Sequence, residues 1–331
     1  MNEIQAAHDA GVSTSMNAET IVEVINLSIQ YGELEAVRDV SFTVGRGEIV
    51  GLVGPNGAGK TSIVETVAGL RTAVSAGTVR TCGLDPQRSR AKLAPKVGIQ
   101  LQESSFPSRV RVGELCDLYE SIYQRRGAAD PLLTSFGLAD RRRSFVSSLS
   151  GGLRQRLALV LAQIGDVELI ILDELTTGLD PEQRRSTWEV IRELGDRGVS
   201  ILLTSHYMEE VEALCGRVGV IVGGRLVRFA RPSELIISDG GDAKFSIATT
   251  GLSQGQIDSI RGLDLREDPQ SEPFSLELRG SFPNDYHMLT TRLYEAGIEQ
   301  TVVRYRSTSL EDAYLNIVNN TRRGDRSLRC L

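Results

Sequence analysis

The sequence predicts an α/β protein with a mainly parallel sheet, followed by a smaller α+β domain. Short apolar runs such as EIVGLV, ELIILD and VSILLTS alternate with segments of helical periodicity, as expected of strands covered by helices on both faces. A glycine-rich loop, GPNGAGKTS, joins one such run directly to the helix-like IVETVAGL. From Ile237 to Ala243 glycine and acidic residues displace the apolar pattern. Beyond that stretch the pattern resumes in the order β-α-β-β-α-β, which suits a small ferredoxin-like sandwich.

Taken in order, residues 1–19 lack both a basic n-region and an apolar h-region; they read as a flexible tail rather than a secretory signal. The first domain is expected over 20–236. It opens with two β-rich runs, IVEVINLSIQ and AVRDVSFTV, around the turn-like YGELE. A helical subdomain is expected over about 103–165. There ELCDLYESIY carries apolar residues at three- and four-residue steps, and LRQRLALVLAQI reads as a second strong helix. Arg141, Arg142 and Arg143 read as a solvated helix end. GRVGVIVGGRLVRFA reads as a closing hairpin around Gly223 and Gly224, with RPSELI as a short helix after it.

Residues 237–242 are expected to form a linker and 243–319 an accessory domain. Its strands are KFSIATT, LDLRED, FSLELRG and QTVVRYR, and its helices SQGQIDSIRG and NDYHMLTTRLYEAG. A last helix is expected from Ser309, because SLED sets a hydroxyl and an acid at capping-box spacing. Residues 320–331 read as a flexible tail.

At 331 residues the chain has room for two domains and a substantial core. Its 40% hydrophobic and 24% charged content is that of a globular protein, and no apolar run approaches the roughly 18 to 20 residues of a membrane span. Cys82, Cys116, Cys215 and Cys330 show no C-x-x-C spacing, which argues against zinc and a disulfide scaffold. His8, His206 and His287 are far apart in the sequence. A net charge of −6 gives no basic footprint for nucleic acid.

The chemistry concentrates in three segments. Gly54, Gly57 and Gly59 leave a backbone on which consecutive N–H groups can turn inward as an anion nest at a helix N-terminus. Lys60 and Thr61 then complete G-x-x-x-x-G-K-[ST], placing an ammonium for terminal phosphates and a hydroxyl for magnesium; such a loop suits a nucleoside triphosphate. In ELIILDELTTGLD, Asp173 ends an apolar strand where a magnesium ligand belongs, and Glu174 beside it can accept a proton from an attacking water. In LSGGLRQRLALVLA, a serine and two glycines open a helix as a second anion-receptive N-terminus. One chain holding one ATP has no evident use for two such sites. The economical answer is that the second meets the nucleotide held by another copy, reciprocally in a homodimer.

With these motifs the chain resembles the ATPase subunits of ABC transporters, over roughly Ile21 to Glu234. The resemblance implies a P-loop ABC cassette that binds ATP and Mg2+. Within it Gly54, Pro55, Asn56, Gly57, Ala58, Gly59, Lys60, Thr61 and Ser62 form the Walker A loop. Ser150, Gly151 and Gly152 lie in the signature loop, and Asp173 and Glu174 close Walker B. Tyr31 stands where the family stacks an aromatic ring on adenine. Gln102 matches the glutamine that senses magnesium and attacking water, Gln100 being a nearby competitor. Asp180 matches the D-loop, and His206 the switch histidine at the γ-phosphate. Two positions depart from the family pattern: Leu153 where glutamine is common and Leu175 where proline is common.

The SLEDAYLNIV segment resembles that of drug-resistance bacterial exporter ATPases of the daunorubicin-resistance type. The function implied is ATP hydrolysis that powers a bacterial exporter, as in the drug-resistance and multidrug-resistance ATPases it resembles. Its partners are a second copy of the chain and a separate polytopic permease, at the cytoplasmic side of the membrane and without nucleic acid. The implied catalytic set is Glu174, His206, Gln102 and Lys60, with Thr61, Gln102 and Asp173 at the metal. ESSFPSRVRV adjoins the groove that receives a permease helix in this family, with Phe106 as an anchor and Arg109 and Arg111 orienting it; the bland alternative is that Phe106 caps the local core. Other readings are a non-transport ABC ATPase acting on ribosomes or nucleic acid, and an importer ATPase.

Overall fold

Residues 20–71, 74–101, 106, 109–240, 243–248, 252–261, 266–267, 275–280, 284–298, 303–306 and 308–328 are described by a computed structural model. The chain divides into two compact units, at residues 229 and 230.

The first unit carries two sheets. Strands β1 (Thr20–Tyr31) and β2 (Leu34–Gly45) pair antiparallel, and buried and exposed residues alternate along much of both, as strands with one covered face do. β3 (Ile49–Val53) then leads into α1 (Lys60–Val67). β4 (Val74–Thr81) joins the far edge of β1 and was not legible as a strand, because most of its side chains are exposed and Gly77 interrupts it. Gly77 has φ 93°, and a Cβ there would sit 2.3 Å from the Asn26 carbonyl oxygen, so the strand pair tolerates only glycine at this irregularity.

A short turn of helix, α2 (Arg90–Leu93), precedes β5 (Val97–Gln100). Three helices follow, α3 (Val112–Tyr123), α4 (Ala129–Ser135) and α5 (Gly151–Ala162), within the region expected as a helical subdomain. Arg141 and Arg143 are exposed, with Arg141 ending a short 3-10 turn as a solvated helix end would, but Arg142 departs from that expectation: it bonds Asp117 of α3 at 2.7 Å and also bonds Asp130 of α4. The guanidinium fork suits this bridging of two helices better than it suits open solvent. The chain continues through β6 (Leu169–Asp173), α6 (Pro181–Asp196), β7 (Ser200–Thr204), α7 (Met208–Leu214), β8 (Arg217–Val222) and β9 (Arg225–Ala230).

The second sheet runs in the order β5-β6-β7-β3-β8-β9. β5, β6, β7, β3 and β8 are parallel neighbours. β6 and β7 are buried along their whole length, which is why they read as unbroken apolar runs. Each buried leucine or isoleucine in them contributes about 1.5 to 3 kcal/mol. The consequence for function is positional. The C-terminal ends of β3, β6 and β7 lie side by side, where open α/β sheets bind ligands.

The second unit begins with α8 (Pro232–Asp239), which runs three residues into the segment expected as a linker. Asn316 explains the extension, since its amide donates to the Asp239 and Gly240 carbonyls at 3.0 and 3.3 Å and satisfies the helix end. Then come β10 (Ala243–Ala248), α9 (Gln254–Arg261), β11 (Arg266–Glu267), β12 (Ser275–Gly280), α10 (Asn284–Glu295), β13 (Val303–Arg306) and α11 (Leu310–Leu328). The antiparallel order β11-β12-β10-β13 is that of a ferredoxin-like sheet. Phe245, Ile247, Leu276 and Leu278 form the apolar face that Ile260, Leu289 and Leu293 cover. Ser309 caps α11 as the SLED motif predicts: Asp312 N–H donates to its hydroxyl at 3.2 Å, and its own N–H donates to the Asp312 carboxylate at 3.0 Å. The helix continues to Leu328, through most of the stretch expected as a flexible tail.

Candidate active site

The phosphate loop is shaped by what its glycines must avoid. A Cβ on Gly54 would lie 2.2 Å from the Ile221 carbonyl oxygen, and one on Gly59 2.5 Å from that of Ala36. Gly59 also holds φ 101°, so any other residue there is strained as well as crowded. Asn56 and Gly57 are exposed on the loop, with Pro55 and Ala58 closing it by an Ala58 N–H to Pro55 carbonyl bond of 3.1 Å. Lys60 opens α1 at only 6% exposure, and its ammonium donates to the Gly54 and Pro55 carbonyls at 2.7 and 3.2 Å. Burial pulls its pKa below 10.5; the negative charges of Glu174 and Asp173 oppose that drift and favour the ammonium.

Across the sheet edge stand the two acids. Asp173 ends β6 at 3% exposure and is reached by the Thr61 hydroxyl, 3.3 Å from its Oδ2, and by the Thr204 hydroxyl at its Oδ1. Glu174 adopts φ 51°, a left-handed conformation that costs a non-glycine residue about 1 to 3 kcal/mol. Thr204 holds it there: the Glu174 N–H lies 3.1 Å from the Thr204 carbonyl oxygen and 3.2 Å from its Oγ1. The turn sends consecutive carboxylates to different partners, Asp173 to Thr61 and Glu174 to His206, whose Nδ1 is 3.5 Å from Oε2. Thr204 is the participant that the sequence reading missed. Its signal is a hydroxyl at the end of an apolar strand, in register with Asp173.

A buried carboxylate beside a hydroxyl offers the hard oxygen donors that magnesium takes. Among the described residues no group of three or more His, Cys, Asp or Glu side chains is gathered as a metal cage.

A family described as "ABC transporter" matches residues 37–177. A Nod factor export ATP-binding protein of Cupriavidus pinatubonensis is 35% identical, with 92% of each chain covered. The chain belongs to the ABC transporter ATP-binding family. A daunorubicin resistance ATP-binding protein of Streptomyces coeruleorubidus is 30% identical over 92% of this chain and 98% of its own length. The linearmycin resistance ATP-binding protein LnrL of Bacillus subtilis is 29% identical over 92% and 100%. A solved ATP-binding subunit of an ABC transporter is 27% identical, with a TM-score of 0.60 over 67% of this chain and 94% of that one. The fold is therefore that of an ABC cassette, and its ATP-binding domain implies ATPase activity.

Within the cassette, Ser150 caps α5 through a 3.4 Å bond from the Leu153 N–H, and Gly151 and Gly152 lie against Leu179 and Gln183 at the start of α6. Asp180 caps α6 by accepting from the Gln183 N–H at 2.8 Å, and through Leu179 and Gln183 the loop of Ser150, Gly151 and Gly152 lies beside it. Leu175 is buried and its carbonyl accepts from the Gln155 amide of α5 at 2.6 Å. Proline also carries a carbonyl, so that acceptor does not depend on the side chain. Leu153 meets the cap through its backbone, which any residue but proline supplies.

Tyr31 is half-buried against the core, with its hydroxyl 3.3 Å from Ser62 Oγ and the Arg71 guanidinium 5.0 Å from its ring centre. Gln102 lies outside the described residues. Gln100 ends β5 and is buried.

Proposed function

We propose that this ABC subunit hydrolyses ATP to drive a bacterial exporter, closing as a homodimer around two Mg-ATP molecules and passing that motion to a separate permease. The observation that supports hydrolysis is the convergence of Lys60, Thr61, Asp173, Glu174 and His206 at the ends of three adjacent strands. Glu174 accepts the proton of the attacking water, and Lys60 and His206 stabilise charge on the γ-phosphate. Thr61, Asp173 and Gln102 are the residues to hold magnesium, which when bound neutralises charge on the phosphate oxygens. Ser150, Gly151 and Gly152 receive the nucleotide of the second copy, as the reciprocity of a two-fold dimer requires.

Export rests on the relatives, whose names describe linearmycin resistance, daunorubicin resistance and Nod factor export. Among the described residues no helix is long and apolar enough to cross a membrane. A permease partner is supported by one observation. A cavity of about 330 Å3 opens between β5 and the helical region, lined by Phe106, Leu70, Tyr119 and Tyr123. Phe106 is half-buried on that wall, as an anchor for an inserted helix requires. Arg111 is engaged locally, bonding the Arg143 carbonyl and lying 4.6 Å from the Phe145 ring centre, whereas Arg109 is exposed.

The test is to isolate the chain from gently solubilised native membranes and identify any stoichiometric polytopic protein, with and without Phe106→Ala. A permease that is lost in the variant supports the reading. Recovery on ribosomes or DNA without a membrane partner overturns it.

A further inference from the structure

Glu210 belongs neither to the phosphate loop nor to the Asp173 and Glu174 pair, yet it is only 3% exposed. Its Oε1 accepts two hydrogen bonds, from the Thr176 hydroxyl at 2.9 Å and the Trp188 indole N–H at 3.0 Å. These three residues come from different segments. Thr176 stands two residues after Glu174, Trp188 lies within α6 beyond Asp180, and Glu210 is on α7, four residues after His206. A second contact ties the same segments, since the Arg184 guanidinium of α6 lies 4.1 Å from the Tyr207 ring centre. The Tyr207 ring is in turn 4.1 Å from that of His206.

Removing a carboxylate from water is costly, and an apolar side chain would fill the space at no such cost. What the carboxylate adds is direction. Two donors on two segments converge on one oxygen of a third, so small sliding of α7 against either breaks a charge-assisted bond. The segments thus fixed are those that carry Glu174 and His206, and the two functional side chains meet at 3.5 Å.

We propose that Glu210 is a positioning residue for hydrolysis, one that keeps His206 in register with Glu174 by tying α7 to the Thr176 turn and to α6. This rests on the ATPase reading above. Glu210 acts through the other two residues and has no contact with the phosphate loop among its hydrogen bonds, so its loss reduces turnover and spares ATP binding.

Trp188 is the single tryptophan of the sequence, so its emission reports this junction alone. The full-length chain is compared with Glu210→Ala, Glu210→Gln and the double variant Thr176→Val with Trp188→Phe, measuring kcat, KM, ATP affinity and thermal midpoint. Glu210→Ala is expected to lower kcat about tenfold or more, the equivalent of one or two such bonds, with KM and ATP affinity within about twofold. Trp188 emission shifts in the same variant. Glu210→Gln keeps a carbonyl acceptor and recovers most of both signals. The double variant lowers kcat without touching Glu210, and it decides the matter if Glu210→Ala does not fold. Unchanged kcat in the folded variants overturns the proposal, as does a kcat loss that merely follows lost ATP binding or lost folded protein. A parent without ATPase activity overturns the ATPase reading and the proposal with it; an active parent with unaffected variants overturns the proposal alone.

Discussion

His206 Nδ1 stands 3.5 Å from Glu174 Oε2, with the imidazole reaching outward and the carboxylate largely enclosed. In the proposed mechanism the pair divides the labour of the site, one group accepting a proton and the other meeting phosphate charge. Glu174→Gln preserves shape and removes the base, so turnover is expected to fall about 100-fold or more while ATP still binds. Dimers should then accumulate in the presence of ATP, which size-exclusion chromatography with and without nucleotide measures. Equal hydrolysis by the purified parent and variant would remove Glu174 from the role of general base.

Lys60 is expected to behave differently, because its ammonium is held within the loop by the Gly54 and Pro55 carbonyls. Lys60→Ala removes the cation proposed to meet the terminal phosphates, and ATP affinity should weaken by about tenfold or more. Titration of labelled ATP against both proteins checks this; unchanged affinity and turnover would place Lys60 outside the site.

Thr204 organises both acids, donating to Asp173 and accepting from the Glu174 N–H at 3.2 Å. Thr204→Val keeps the volume and deletes the hydroxyl, leaving Asp173 short of a donor in a buried position, at a cost of about 1 to 3 kcal/mol. The expected signature is a lower denaturation midpoint together with a magnesium requirement shifted to higher concentration. A variant as stable as the parent, with the same magnesium dependence, would show that the hydroxyl organises nothing.

Glu168 yields a pH dependence. The Lys96 ammonium bonded to it, with Arg46 assisting at 2.8 Å, outweighs burial and holds its carboxyl below the ordinary 4.5; Lys96 is correspondingly raised. A carboxyl whose folded pKa is depressed stabilises the fold above its unfolded pKa, and that contribution is lost as pH falls through the lower folded value. Glu168→Gln should therefore flatten the acid limb of the stability curve below about pH 4.5 by under about 1 kcal/mol, since the cations are partly solvated. Denaturant titrations across pH 3 to 7 check it. An acid limb that coincides with the parent's would rule the contribution out.

Features whose signals are local were legible before any fold was known. Glycines at 54, 57 and 59 before Lys60 and Thr61 can be read without a fold, because backbone crowding and phosphate binding restrict each position separately. The buried strands β6 and β7 announce themselves because burial on both faces demands unbroken apolar runs. Even the cap at Ser309 needs only four residues. Tertiary structure decided what depends on partners distant in the chain. β4 lacks an apolar alternation and exists through its pairing with β1, and α8 reaches Asp239 because Asn316 satisfies its end. Arg142 is a clasp rather than a solvated charge because Asp117 and Asp130 come to it. Thr204 reaches Asp173 across 31 residues, and Glu210 collects donors from Thr176 and Trp188 across 34 and 22. A hydroxyl or a carboxylate has no periodicity of its own. Its role is set by which donors and acceptors the packed sheet delivers, and that is fixed only when β6 and β7 lie in register.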